Sequence, residues 1–492
     1  MHRNRLFPIC ALSLPLLFTG CTGEGSSSEE EQGPFDLPAE AIIHHVVGEA
    51  NGDWFGYSVC GLGDVNADGV PDFAVGAHQN QNWGARPAPD APPGYINVYS
   101  GKDGTLLNKL LSAGSKNIDG SDDHLGFSMT TIQDQDGDGA REIMAGAYLF
   151  DADDGIEETV DENTGGVFIF SGRTGKILAT MGGVLWGDRF GYTLSSFEDL
   201  NGDGREDLLI GVEKSDGNNE NEGSLQVFAA ASYDKLLTAT GPGHESHLGS
   251  SVSRIGDVDG DGTPDLAGGA FMYSTGEETG KGKGAGMGEQ DGRQSGWAGL
   301  YSGRDGALLR SWVGETMDHL GYAITSLGDV NADGVSDLAV GANQSGWVGD
   351  YHGEGYVRVY SCRDGALLYE LRGEELGDQF SWGMATASDH DQDGLADLLV
   401  GAPSAISVNK ETMTNRSGTV FLFSGADGTR IGACRGLKEN DQFGTSVADV
   451  GDLDGDGIGD ILVGAPENVI GQTRPGYALV ISGAFLMHGR VE

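Results

Sequence analysis

The chain has 492 residues, 84 of them glycine, and a formal charge of −46 at pH 7. That charge argues against a nucleic-acid partner, whose phosphates need clustered Lys and Arg, and against docking on an anionic membrane through protein charge. There is no Gly-X-Y period, so the glycines are assigned to turns. Short apolar runs bounded by Gly, Asp and Asn recur where long helical periodicity does not, which reads as all-β.

Residues 1–21 read as a processing segment. Arg3 and Arg5 form a positive start, and "LFPICALSLPLLFTG" is an apolar run too short to span a bilayer as a stable helix. The run ends in "LFTGC", which resembles a bacterial lipobox with Cys21 as the lipidated residue, although Phe18 stands where Leu is usual. Plain secretion with another cut site is the alternative. Residues 22–40, beginning "TGEGSSSEEEQG", read as a polar tether. The rest of the chain is then expected outside the cytoplasm, held by acyl chains at a bacterial cell envelope, at the outer membrane or cell surface. Cys60, Cys362 and Cys434 show no paired spacing and are read as small buried hydrophobes.

Self-comparison organises residues 41–486. An Asp-rich loop begins at Asp64, Asp134, Asp199, Asp257, Asp329, Asp389 and Asp452, at spacings of 58 to 72 residues. Each copy follows a stretch such as "DWFGYSVCGLGD" or "DHLGYAITSLGD" and precedes a short strand such as "DFAVGA" or "DLLVGA". A third strand ("INVYSG", "VFIFSG") and an Asp-Gly turn into a fourth complete the unit. Four strands in about 60 residues, repeated seven times, predict a seven-bladed β-propeller of four-stranded antiparallel blades. "AIIHHVVGE" at 41–49 aligns with the fourth strand "ALLRSWVGE" at 307–315, and little chain remains after "YALVISG". The N-terminal strand is therefore expected to close the last blade, leaving 487–492 as a tail.

The loops align by position. The ligand candidates are Asp64, Asn66, Asp68 and Asp72; Asp134, Asp136, Asp138 and Glu142; Asp199, Asn201, Asp203 and Asp207; and Asp257, Asp259, Asp261 and Asp265. The last three sets are Asp329, Asn331, Asp333 and Asp337; Asp389, Asp391, Asp393 and Asp397; and Asp452, Asp454, Asp456 and Asp460. Oxygen ligands at positions 1, 3 and 5, Gly at 6 and a carboxylate at 9 suit a hard cation. Calcium fits this better than magnesium, which keeps its waters. Without a cation the carboxylates repel or take up protons. No His or Cys enters the frame, which disfavours zinc there. Up to seven structural Ca2+ ions are expected. An EF-hand is ruled out by the strand-like flanks and the missing Glu at position 12.

The run of Phe-Gly, acidic loop and Gly-Ala-Pro, fullest in "DQFGTSVADVGDLDGDGIGDILVGAP" at 441–466, resembles the FG-GAP repeat. That family includes the propeller of integrin alpha subunits and many bacterial surface proteins. The resemblance implies a seven-bladed ring with structural calcium on one face. Leu125, Leu248 and Leu320 replace Phe, Ser381 replaces Gly, and five of the seven Gly-Ala-Pro segments lack Pro.

The variable second-to-third and fourth-to-first loops fall on the opposite face. Trp83, Trp297 and Trp347 lie in or at the end of them and are candidate ligand contacts, while Trp54, Trp186 and Trp382 read as packing. Hydrolase, zinc-protease and phosphate-loop motifs are absent from the sequence. His244, Glu245 and His247 in "GPGHESHLG" read as solvated loop residues. The sequence thus points to a monomeric, calcium-stabilised extracellular scaffold that binds or adheres to a protein or polysaccharide and meets the membrane only through its lipid. The alternative is a lyase-like polysaccharide enzyme on the same ring.

Overall fold

The computed structural model describes residues 37–79, 93–112, 123–150, 163–183, 185, 187–217, 219–274, 294–345, 353–404, 417–467 and 474–488. The signal segment with Cys21, most of the tether, and Trp83, Trp186 and Trp347 lie outside the described residues.

The first described strand, β1 (Ile42–Val47), follows a single 3-10 turn at Ala39–Ala41. Blade one is β2 (Phe55–Gly63), β3 (Asp72–Ala77), β4 (Tyr95–Tyr99) and β5 (Leu106–Leu111). Blade two is β6 (Ser128–Ile132), β7 (Glu142–Ala147), β8 (Gly166–Phe170) and β9 (Ile177–Gly182). Blade three is β10 (Phe190–Phe197), β11 (Asp207–Val212), β12 (Ser224–Phe228) and β13 (Lys235–Thr240). Blade four is β14 (Ser251–Gly256), β15 (Asp265–Gly269), β16 (Trp297–Tyr301) and β17 (Leu308–Val313). Blade five is β18 (Leu320–Gly328), β19 (Asp337–Ala342), β20 (Tyr356–Ser361) and β21 (Leu367–Arg372). Blade six is β22 (Met384–Ala387), β23 (Asp397–Ala402), β24 (Thr419–Phe423) and β25 (Arg430–Arg435). Blade seven has β26 (Ser446–Gly451), β27 (Asp460–Ala465) and β28 (Tyr477–Ile481), with β1 as its fourth strand.

Every blade is an antiparallel meander. In blade seven Val46 pairs with Ala478 and Val47 with Tyr477, so the N-terminal strand closes the ring as expected. The inner strands touch in the order β2, β6, β10, β14, β18, β22, β26 and back to β2.

Burial explains the sequence pattern. Six of the second strands are six residues long and fully buried, because both faces of a blade pack on neighbours. Each apolar cluster joins two adjacent blades; one of them combines Phe55, Phe73 and Val75 of blade one with Val450, Leu462 and Val480 of blade seven. The outer strands are largely exposed or half-buried, but each buries its fifth residue. These are Leu110, Met181, Ala239, Trp312, Leu371, Cys434 and Val46. Cys434 therefore acts as a core side chain, and Cys362 is also fully buried, whereas Cys60 on β2 is only half-buried.

The motif glycines are explained by the same packing. A Cβ on Gly464 would stand 1.9 Å from the carbonyl oxygen of Gly56, and one on Gly146 would stand 2.1 Å from that of Gly191. The Phe-Gly glycine takes a positive φ (92° at Gly56) and turns its carbonyl toward the neighbouring blade. There a hydroxyl caps it: Ser446 Oγ donates to Gly56 O at 2.8 Å and Ser58 Oγ to Gly126 O at 2.6 Å. In blade six Ser381 holds this position at φ 75°, and its buried hydroxyl has no hydrogen-bond partner.

Two boundaries differ from the sequence reading. Leu37, assigned to the tether, packs against the cluster between blades six and seven. After β28 the chain forms a short helix, α1 (Gly483–His488), rather than ending in strand and tail. Leu486 on it is buried, and a Cβ on Gly432 would stand 2.2 Å from the Leu486 carbonyl. No described helix is long and apolar enough to cross a membrane.

Candidate metal centres and ligand face

Each acidic loop joins the first strand of a blade to the second, and its backbone is the same in all seven. Position 6 is Gly at φ 85–92°, and position 4 is also left-handed even where it is Ala67, Ala332 or Gln392. The Asp at position 1 accepts the N–H of position 6 at 2.7–2.9 Å throughout. The carboxylate at position 9 accepts the N–H of position 2 at 2.7–3.0 Å. In blade one its other oxygen accepts the N–H of Gly101, in the third-to-fourth turn, at 3.0 Å, and Gly303 and Gly483 donate to Asp265 and Asp460 in the same way. The loop and the Asp-Gly turn therefore share a face.

All seven position-9 carboxyls are fully buried. Burial, with the neighbouring loop aspartates adding to it, pushes the Asp337 and Asp460 carboxyls up to about 6. Asp72, Glu142, Asp207 and Asp265 shift upward mainly through burial as well. A cation would favour their charged form. In four loops three carboxylate oxygens converge within 4.8 Å: Asp134, Asp136 and Glu142; Asp257, Asp259 and Asp265; Asp389, Asp391 and Asp397; and Asp452, Asp454 and Asp460. The other three loops carry Asn66, Asn201 or Asn331 at position 3; Asn66 Nδ2 lies 3.3 Å from Asp72 Oδ1. An all-oxygen donor set on a pre-shaped loop fits a hard divalent cation.

The opposite face is built by the residues flanking Phe-Gly. The residue before it is left-handed in every blade: Trp54, His124, Arg189, His247, His319, Gln379 and Gln442, at φ 56–61°. An Asp precedes it in six blades and Ser246 in blade four. Asp53 accepts the N–H groups of Glu49 and Phe55 and the hydroxyl of Tyr95, and Asp318 accepts that of Tyr356. The residue after Phe-Gly faces the axis. Tyr57, Phe127, Tyr192, Tyr322 and Trp382, all half-buried, line a central cavity of about 300 Å3 together with Phe271. Ring centroids are 5.1 Å apart for Tyr57 and Phe127, 4.9 Å for Phe127 and Tyr192, and 5.0 Å for Tyr322 and Trp382.

Trp382 thus lines the channel rather than packing away as the sequence suggested. Trp297 does stand at the end of its loop, but it is the first residue of β16, 4% exposed and packed by Tyr301, with no open face for a ligand. Trp54 is buried, as read. His247 departs from its reading as a solvated residue. It is buried, with Nδ1 2.7 Å from Glu213 Oε1 and Nε2 3.2 Å from Glu245 Oε2. Burial disfavours a charged ring, yet the carboxylates, Glu213 foremost, outweigh it and raise the pKa. Arg189 Nη1 holds the other Glu213 oxygen at 2.8 Å. His244 is exposed, as expected.

Sequence reading missed the aromatic crown because its members recur every 60 residues or so. The signal was available: the residue after each Phe-Gly or Leu-Gly is aromatic in four of the seven copies, and Trp382 follows Phe-Ser in a fifth.

Part of the chain is similar in sequence to known proteins. The chain is 30% identical over 168 residues to integrin alpha-5 of Xenopus laevis, covering 34% of this chain and 15% of that protein. It is 28% identical over 167 residues to integrin alpha-V of Gallus gallus, with the same coverage, and 31% identical over 157 residues to integrin alpha-4 of Xenopus laevis, covering 30% and 14%. The matched region thus spans about 15% of the relatives' length. The FG-GAP repeat family matches residues 55–86, 320–360 and 443–481, which lie in blades one, five and seven.

Proposed function

We propose that this chain is a calcium-stabilised propeller serving as an extracellular binding or adhesion scaffold, lipid-anchored through Cys21 at a bacterial cell surface. The observation that carries the binding role is the aromatic crown around the channel mouth, on the face away from the acidic loops. Half-buried Tyr and Trp rings on a rigid frame supply apolar contact at small entropic cost. The similarity to integrin alpha chains supports a protein partner, and Trp83 and Trp347 are further candidate contacts. The calcium ions brace the opposite face and need not touch the ligand.

Capture from envelope extract on the immobilised, calcium-loaded protein tests this. Retained protein, lost after protease treatment of the extract, supports an adhesion scaffold. Retained glycan that survives protease indicates a lectin-like site. Equal retention by the double variant Tyr57→Ala, Trp382→Ala would remove the crown from the binding face.

A further inference from the structure

We propose that Glu220, His244 and Glu245 form a binding site for a zinc-type transition ion on the ligand face, distinct in place and chemistry from the acidic loops. Glu220 lies on the loop between β11 and β12, and His244 and Glu245 lie on the loop between β13 and β14. One ligand atom from each comes within 4.8 Å of the other two. The two loops are clasped there by their backbones: Glu245 N–H donates to Glu220 O at 2.9 Å, His247 N–H to Asn221 O at 3.2 Å and Leu248 N–H to Glu222 O at 3.0 Å. The donors are therefore held together before any ion arrives.

Two further features suit a transition ion. His244 Nδ1 lies 3.1 Å from the main-chain carbonyl oxygen of Glu220. A carbonyl can only accept, so Nδ1 carries the proton and Nε2 keeps its lone pair. Fixing a ligand histidine's tautomer through its other nitrogen is a common outer-shell arrangement in metal sites. Glu245 is oriented on both oxygens. Oε1 accepts from Asn221 Nδ2 at 3.0 Å, and Oε2 accepts from His247 Nε2 at 3.2 Å. His247 is anchored in turn on buried Glu213, which Arg189 holds. A chain of hydrogen bonds, rooted in the buried His247–Glu213 pair, thus orients an exposed carboxylate.

The donor set decides the metal class. The acidic loops offer oxygen alone, which suits calcium, whereas an imidazole nitrogen with two carboxylates suits zinc and its neighbours. Three protein donors leave one tetrahedral position for water.

The test uses the full chain saturated with calcium, so that the acidic loops are filled, and titrates Zn2+ by calorimetry and Co2+ by visible absorption. One zinc equivalent is expected, weakened at least about tenfold by His244→Ala and by Glu220→Gln. Both variants should keep the parent melting temperature without zinc, since the residues are exposed. The cobalt absorption should also disappear in His244→Ala. No zinc uptake by the calcium-saturated parent, or equal affinity in His244→Ala, would overturn the assignment.

Discussion

His44 on the closing strand lies with Nε2 2.5 Å from the carbonyl oxygen of Gly101, in the third-to-fourth turn of blade one, and its ring stacks on Phe73. The N–H of Gly101 donates to Asp72, the last carboxylate of the first acidic loop. Closure of blade seven, the first turn and the first acidic loop are thereby joined through one residue, Gly101. His44→Ala should lower stability by about 1 kcal/mol, the usual size of a net hydrogen bond. Deleting residues 1–48 should remove cooperative unfolding, because blade seven then loses its outer strand. Denaturant melts followed by circular dichroism check both.

Calcium removal should act on the whole ring. At roughly 2–4 kcal/mol per saturated site, chelation at neutral pH is expected to lower the melting temperature by more than about 10 °C. Asp259→Asn should release about one ion while leaving the remaining loops loaded, as counted by metal analysis after dialysis.

The buried carboxyls contribute to the pH response of the calcium-free protein with a defined sign. Burial raises Asp337 and Asp460 to about 6 and Asp441 to about 7 in the folded state, above the unfolded carboxylate value. The native state therefore binds more protons than the unfolded state between roughly pH 4 and 7. Stability contributed by these groups is lost as pH rises through that window. His247, whose pKa is raised, adds in the same direction, its contribution fading as pH climbs past its folded value. In chelator these groups should raise the melting temperature from pH 7.5 to 5.5, measured in a His78→Gln, His124→Gln background, because burial lowers the pKa of both histidines and gives them the opposite slope. Calcium should flatten that slope, because it favours the deprotonated loops. An equal slope with and without calcium would place the titration outside the acidic loops.

The glycine contacts between blades give opposite expectations at two positions. Gly464→Ala places a Cβ 1.9 Å from the Gly56 carbonyl and should cost about 3 kcal/mol or more by displacing backbone. Ser381→Gly should stabilise the protein by about 1 kcal/mol. It relieves a left-handed serine at φ 75° and removes a buried hydroxyl without a partner. Thermal melts of the two variants, run with calcium, test the pair.

Much of this molecule is written locally. Phe-Gly, the acidic loop and the Gly-Ala strand repeat in register, so seven blades, their strand order and the ring-closing N-terminal strand follow from the sequence. The acidic loop is equally local: its candidate ligands and its position-6 glycine lie within about nine residues, between its two flanking strands. Only the tertiary structure decided the ligand face. Tyr57, Phe127, Tyr192, Tyr322 and Trp382 meet because each heads the inner strand of a different blade, and closing the ring brings those strands around one axis. His247 became buried between Glu213 and Glu245 because two loops from different strand pairs zip together, a contact that short-range pattern does not encode. Local periodicity fixes which face of a strand is apolar. Which side chains face one another across blades is set by ring closure, whose contacts join residues far apart in the chain.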